Sequence, residues 1–192
     1  MKPLHQGPLT AAFIACAAVS GAAHAADYAL DPTHSFVQFK IKHLGYSWMF
    51  GRFDKMDGKF SYDPAKPEAS AIEVSVDTSS INTNHAERDK HLRSKEFLET
   101  DKFGTATFKS TGYKGSADKG VLSGVLSFHG VEKPIDVQIE KVGEGKDPWG
   151  GYRAGFVGTY TMTRADFGVD QFDLGPASTT VELTFGIEGT KK

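Results

Sequence analysis

The sequence predicts an all-β fold of about eight antiparallel strands, and three observations predict it. Apolar and polar residues alternate strictly over long stretches, most cleanly where Val181, Leu183, Phe185 and Ile187 interleave with Glu182, Thr184, Gly186 and Glu188. Such alternation lays one strand face on an apolar interior and the other in water. Turn chemistry at Asp63-Pro64, Gly115, Gly120, Gly130 and Asp147-Pro148 separates the runs, so connections are short and neighbours antiparallel. One segment alone has helical character. Strands with a single apolar face must close into a barrel or pair as two sheets, because a flat sheet leaves edges and an apolar face uncovered.

The chain opens with Lys2, an apolar stretch from Leu9 to Val19, and small residues ending Ala23-His24-Ala25. That is the layout of a cleavable secretory signal, so residues 1–25 are read as a leader and 26–192 as one mature domain beginning at Ala26. The apolar stretch falls short of the ~18 to 20 residues that span a bilayer, and no later stretch approaches that length. Cys16 is the only cysteine and lies inside the leader, where Phe13 stands at a position that lipidated leaders give to Leu. Loss of Lys2 with the leader takes the formal charge from −2 to −3. No basic patch invites nucleic acid.

The expected strands run from Ser35 to Lys42, Phe50 to Tyr62, Ala71 to Asp77, Thr105 to Tyr113, Val121 to Phe128, Lys133 to Val142, Tyr152 to Thr163 and Thr179 to Glu188. On the first, Val37, Phe39 and Ile41 oppose Gln38, Lys40 and Lys42. The second carries Phe53, Met56 and Phe60 but changes phase between Phe53 and Met56, which predicts a bulge there or at Gly58, or a hairpin at Asp57-Gly58. Val74 and Val76 alternate with Glu73 and Ser75; Phe108, Leu126 and Phe128 follow. Ile135, Val137 and Ile139 oppose Asp136, Gln138 and Glu140, and Phe156, Tyr160, Met162, Leu183 and Phe185 complete the inward set. Asn84 as cap with Glu87 three residues on predicts a helix over His85 to Arg93. Its apolar stripe is thin, so it covers an opening rather than filling a core.

Little here signals catalysis. His85 and His91 are six apart, not the i, i+3 or i+4 spacing that aims two ligands at one metal, and no HExxH pattern supports His34, His43 or His129. Ser116 and Lys119 match S-x-x-K only within a glycine-bounded turn, without companion motifs. Asp166, Asp170 and Asp173 do not have EF-hand spacing. The aromatic content, 14 Phe and 6 Tyr, is the unusual feature. Inward-phased aromatics either pack a solid core or line a cavity, and periodicity alone does not separate the two.

Read together, several segments resemble the YceI-like family of periplasmic proteins, described as lipocalin-like and polyisoprenoid-binding. They are Tyr28-Ala-Leu-Asp-Pro-Thr-His34, Ile41-Lys-His43-Leu-Gly45 with Gly51-Arg52-Phe53, Asp77-Thr-Ser-Ser-Ile81-Asn-Thr83, and Arg88-Asp89-Lys-His91-Leu92-Arg93-Ser94. Further on come Phe108-Lys-Ser-Thr111, His129-Gly130-Val-Glu-Lys133-Pro134, Trp149-Gly150-Gly151-Tyr-Arg153 and Arg164-Ala-Asp166-Phe167-Gly168. The resemblance implies a lipocalin-like antiparallel barrel whose apolar channel takes a long isoprenoid or similar tail, with no established catalytic reaction. Trp48-Met49-Phe50 is bulkier than the family's usual lead into Gly-Arg-Phe, and Ser178-Thr179-Thr180 stands where an acidic pair is common.

The expectation is a periplasmic carrier of a polyisoprenoid, isoprenoid quinone or fatty-acyl compound, bound by the inward positions named above. His34, Arg88, Asp89 and His91 are expected as a polar cluster at the barrel mouth. No cofactor or metal is expected, and an isoprenoid or fatty-acyl lipid should co-purify. The rivals are a lipid isomerase or hydrolase using His34, His91 or Asp89, and an accessory module of a membrane redox protein. A homodimer is a further open assembly.

Overall fold

The computed structural model describes residues 25–170 and 172–192. Eleven strand segments form one sheet: β1 Ala26–Leu30, β2 Phe36–His43, β3 Ser47–Phe53, β4 Met56–Tyr62, β5 Ala71–Asp77, β6 Ile81–Asn82, β7 Thr105–Gly115, β8 Lys119–Phe128, β9 Val131–Lys146, β10 Tyr152–Thr163 and β11 Thr180–Lys191. Six of them share rows. β1 and β2 both lie along β11, β4 and β3 lie along them in turn, and β5 and β6 follow. With β7 to β11 this makes a closed eight-stranded antiparallel barrel, sealed where β1 pairs with both β4 and β11.

Three neighbouring rows break, each for a local reason. Between β1 and β2, Pro32 lacks an N–H and Asp31 Oδ1 accepts from the Thr33 amide at 3.0 Å, which turns the chain. The expected phase change between Phe53 and Met56 is a full interruption at Asp54-Lys55, tied by Asp54 N to Ser80 O and Asp77 N to Lys55 O. Between β5 and β6, Asp77 accepts from Ser79 N and starts a one-turn 3-10 segment. Gly58 is neither bulge nor turn. It sits inside β4, where a Cβ would lie 2.4 Å from Glu73 O, so close backbone approach explains the glycine. The register shifts fall instead at Ser110/Gly112 and Gly155/Phe156.

Helix α1, Ala86–Arg93, starts one residue later than the expected capping implies. Asn84 takes a left-handed φ of 61°, and His85 caps, its ring Nδ1 accepting from Arg88 N at 3.2 Å. The helix stands where β6 has no partner strand on the β7 side, so α1 and residues 94–104 complete the wall at that end.

One polar pin crosses the β1–β2 break. Arg153 Nη1 donates to Asp31 Oδ2 at 2.7 Å and Glu188 Oε1 at 2.6 Å, and Nε reaches Asp147 Oδ2 at 3.2 Å. His34 completes an Asp31, His34 and Glu188 grouping of metal-ligand type, but the cation between the two carboxylates is the guanidinium itself. The Thr33 hydroxyl bond and the Arg153 bond hold Asp31 well below the usual carboxylate range. A depressed carboxylate contributes stability in full above the unfolded value of about 3.9, and loses it as pH falls toward its own lower value. Asp31→Asn is expected to cost about 1.5–3 kcal/mol at pH 7 in urea unfolding and to flatten the loss of stability below about pH 4.

Candidate ligand cavity

The inward faces do not meet in a solid core. Three apolar clusters line the barrel along its length. Ile41, Met162, Phe167, Val169 and Val181 lie at the α1 end; Leu30, Val37, Met56 and Val74 come next; Tyr28, Phe60, Tyr62 and Ala154 lie at the far end. Tyr28 stacks on Phe60 at 4.7 Å between ring centres, and Phe156 meets Tyr62 edge-on at 5.0 Å, so the far end is aromatic. A cavity of about 280 Å³ touches all three clusters.

Strand alternation explains the lining. Val37, Phe39 and Ile41 reach the cavity from β2, and Phe53, Met56 and Phe60 from β3 and β4. Val74, Val76 and Phe108 follow on β5 and β7, then Leu126, Phe128 and Ile139 on β8 and β9. Phe156, Met162, Leu183 and Phe185 complete it from β10 and β11. Tyr160 does not line the cavity; it packs against the cluster around Phe167. Outward residues of β2 and β9 are mostly charged or polar, the reverse of a barrel whose outer face meets lipid.

Several lining groups carried no readable pattern. Leu92, Phe97, Leu98, Val169 and Leu174 come from the helix and from segments 94–104 and 168–179, which have no strand period. Met49, which precedes the expected Phe50 to Tyr62 strand, also lines the cavity. Two cations also face the cavity. Arg164 is buried at 6% exposure and donates to three main-chain carbonyls: Nε to Val169 at 3.0 Å, Nη1 to Ser178 at 3.2 Å and Nη2 to Phe172 at 3.0 Å. Burial lowers its pKa, countered by Asp170 and Asp173. At the far end Lys141 reaches Asp118 and Glu144 at 3.2 Å each and Tyr62 Oη at 3.4 Å. Burial opposes its charge, but these partners outweigh burial and raise its pKa.

The four residues expected at the mouth do not form one cluster. Asp89 is buried, its Oδ1 accepting from Thr83 N at 2.8 Å and Thr83 Oγ1 at 2.5 Å, and Arg88 donates from Nε to the same hydroxyl at 2.7 Å and from Nη2 to Thr83 O at 2.7 Å. These bonds fasten α1 to the strand before it. His91 is exposed, pairs with Glu96 and meets Phe97 and Phe172 edge-on. His34 lies apart with Asp31 at the β1–β2 break, for its place on the chain puts it beside Arg153 rather than α1. Among the described residues no helix is long and apolar enough to cross a membrane; the expected leader and Cys16 lie outside the described residues.

With this geometry in place, comparison with known proteins is direct. Residues 28–189 match the model of the YceI-like domain. A UPF0312 protein of Ectopseudomonas mendocina is 54% identical over 190 residues, covering 96% of this chain and 97% of that one. The crystal structure of the Campylobacter jejuni YCEI protein superposes with a TM-score of 0.72 at 30% identity, over 80% of this chain and 91% of that chain. A polyisoprenoid binding domain from Saccharophagus degradans shares the fold, with a TM-score of 0.64 at 21% identity over 86% of this chain and 98% of that chain. The chain belongs to the YceI-like family.

Proposed function

We propose that the protein is a non-catalytic periplasmic carrier that holds a long-tailed lipid, of polyisoprenoid, isoprenoid-quinone or fatty-acyl type, inside the barrel. The observation that carries this reading is the cavity itself, lined by apolar side chains from every row of the barrel, while the outer faces of β2 and β9 are mostly polar. Each buried CH₂ is worth ~0.8 kcal/mol gross, so a tail of about ten carbons yields several kcal/mol before ordering costs. Such affinity comes from the lining without a polar anchor.

Two further points support the proposal. Strand β1 begins at Ala26, which pairs with Tyr62, so cleavage after Ala25 leaves the barrel wall complete. The groups expected to do acid–base chemistry are held elsewhere: Asp89 by Thr83, His91 by Glu96 and His34 by Asp31. Native mass spectrometry of the purified protein is expected to show added mass in the lipid range that organic extraction removes. A delipidated, refolded sample that takes up no isoprenoid-quinone, polyprenyl or fatty-acyl probe would sink the reading.

A further inference from the structure

Four of the seven exposed large apolar side chains among the described residues lie on one hairpin, the other three being Val142, Trp149 and Phe172. Leu44, Tyr46, Trp48 and Phe50 are 51%, 86%, 44% and 64% exposed and follow one another along the β2–β3 hairpin. Trp48 and Phe50 point outward because Met49 and Phe53, alternating with them, line the cavity. At the hairpin tip Leu44 takes a left-handed φ of 51°, a conformation that favours glycine or asparagine. A leucine there is both strained and exposed. The His43–Tyr46 turn, closed by Tyr46 N to His43 O at 2.9 Å, sets a positive φ at both central residues, with 85° at Gly45, so it accounts for the strain but not for an apolar side chain at an exposed tip.

The charge of this hairpin also departs from the rest of the chain. Residues 36–53 contain Lys40, Lys42 and Arg52 and no acidic residue, within a sequence of net charge −2. Lys40 and Lys42 hold their ammonium groups 4.6 and 5.5 Å from the Trp48 ring. Lys40 is paired with Glu182 on β11 and Arg52 with Asp54, whereas Lys42 forms no ion pair among the described residues. On the α1 side, His43, Ser47, Trp48, Phe50, Thr83 and Arg88 surround a polar recess of about 300 Å³. Met49 lines both that recess and the cavity.

We propose that the β2–β3 hairpin docks the barrel on an anionic phospholipid bilayer. Tyr46, Trp48, Phe50 and Leu44 would sit at the boundary between headgroups and acyl chains, where amphipathic aromatic rings are favoured, and Lys42 and Arg88 would meet phosphates. The α1 end of the cavity then faces the lipid source. The inference takes its purpose from the lipid-cavity reading above. A bilayer fits better than a second copy, because a two-fold contact through this hairpin would bring together two segments with basic and no acidic residues. Large exposed apolar patches on a water-facing domain mark such contact surfaces.

The test is co-flotation of the purified protein with vesicles of pure phosphatidylcholine and of phosphatidylcholine with phosphatidylglycerol. Trp149→Phe leaves Trp48 as the fluorescent reporter, since the chain has two tryptophans. Binding is expected to rise with phosphatidylglycerol, to fall with added salt, and to shift Trp48 emission to the blue. Tyr46→Ser and Lys42→Glu are each expected to weaken partitioning about tenfold, which is about 1.4 kcal/mol. Leu44→Asn should weaken it while leaving the melting temperature unchanged or higher, because asparagine tolerates the left-handed φ. Wild-type protein that does not float, flotation indifferent to all three variants, or a wild-type dimer that Tyr46→Ser dissolves would overturn the proposal. Probe uptake in solution separates the two readings. A protein that takes up probe but does not float loses the docking surface alone, and one that floats but takes up none loses the carrier reading and keeps the docking surface.

Discussion

Arg164→Met is expected to destabilise the barrel by about 3 kcal/mol, because it strands three main-chain carbonyls that the guanidinium now satisfies. The three carbonyls, on Val169, Phe172 and Ser178, belong to the segment that folds back over the α1 end. Val169 and Leu174 of that segment line the cavity, and Ser178 Oγ donates to Lys42 O at 2.6 Å, so the same strut steadies the root of the β2–β3 hairpin. Arg164→Lys should recover little. An ammonium is a compact donor and lacks the planar fork that reaches three separated acceptors. Urea unfolding measures the loss, and hydrogen exchange should show amides of residues 168–170 and 172–179 losing protection first. A variant within 0.5 kcal/mol of wild type, as is usual for surface changes, would show that the segment holds itself without Arg164.

Arg164 also shows where reading the sequence stops. Flanking it, Asp166, Asp170 and Asp173 read as a solvated acidic turn, and nothing in the local pattern marks the arginine as buried. Its partners are main-chain carbonyls, which every residue carries and no pattern announces. The walls were legible because period two is enforced by the pleat: Ala71–Asp77 and Tyr152–Thr163 have the expected ends, and the inward residues expected from Val37 to Phe185, except Tyr160, reach the cavity. The eight rows were legible for a partly different reason. The expected Phe50 to Tyr62 strand is two segments in one row, and β1 and β6, of five and two residues, are too short for alternation to stand out. Phe97, Leu98 and Leu174 reach the cavity through tertiary placement of aperiodic segments. Their hydrophobicity was visible, but their direction was not.

Val74→Trp is expected to abolish most lipid uptake while changing the stability of lipid-free protein little. Val74 is buried on β5 between Gly58 and Phe108 in the strand pairing, and its side chain lines the cavity. An indole there can extend into cavity space, displacing ligand volume instead of neighbouring side chains. In a filled core the same change overpacks and costs about 1–3 kcal/mol. Ala154 supplies the contrast. It is 1% exposed in the cluster with Tyr28, Phe60 and Tyr62 and does not line the cavity, so Ala154→Leu should incur that overpacking cost. Thermal unfolding of both lipid-free variants, beside uptake of a polyprenyl or fatty-acyl probe, compares space that is filled with space that is not. Destabilisation by Val74→Trp as large as by Ala154→Leu, with probe uptake unchanged, would mean that Val74 faces packed side chains and that the lipid, if bound, lies elsewhere.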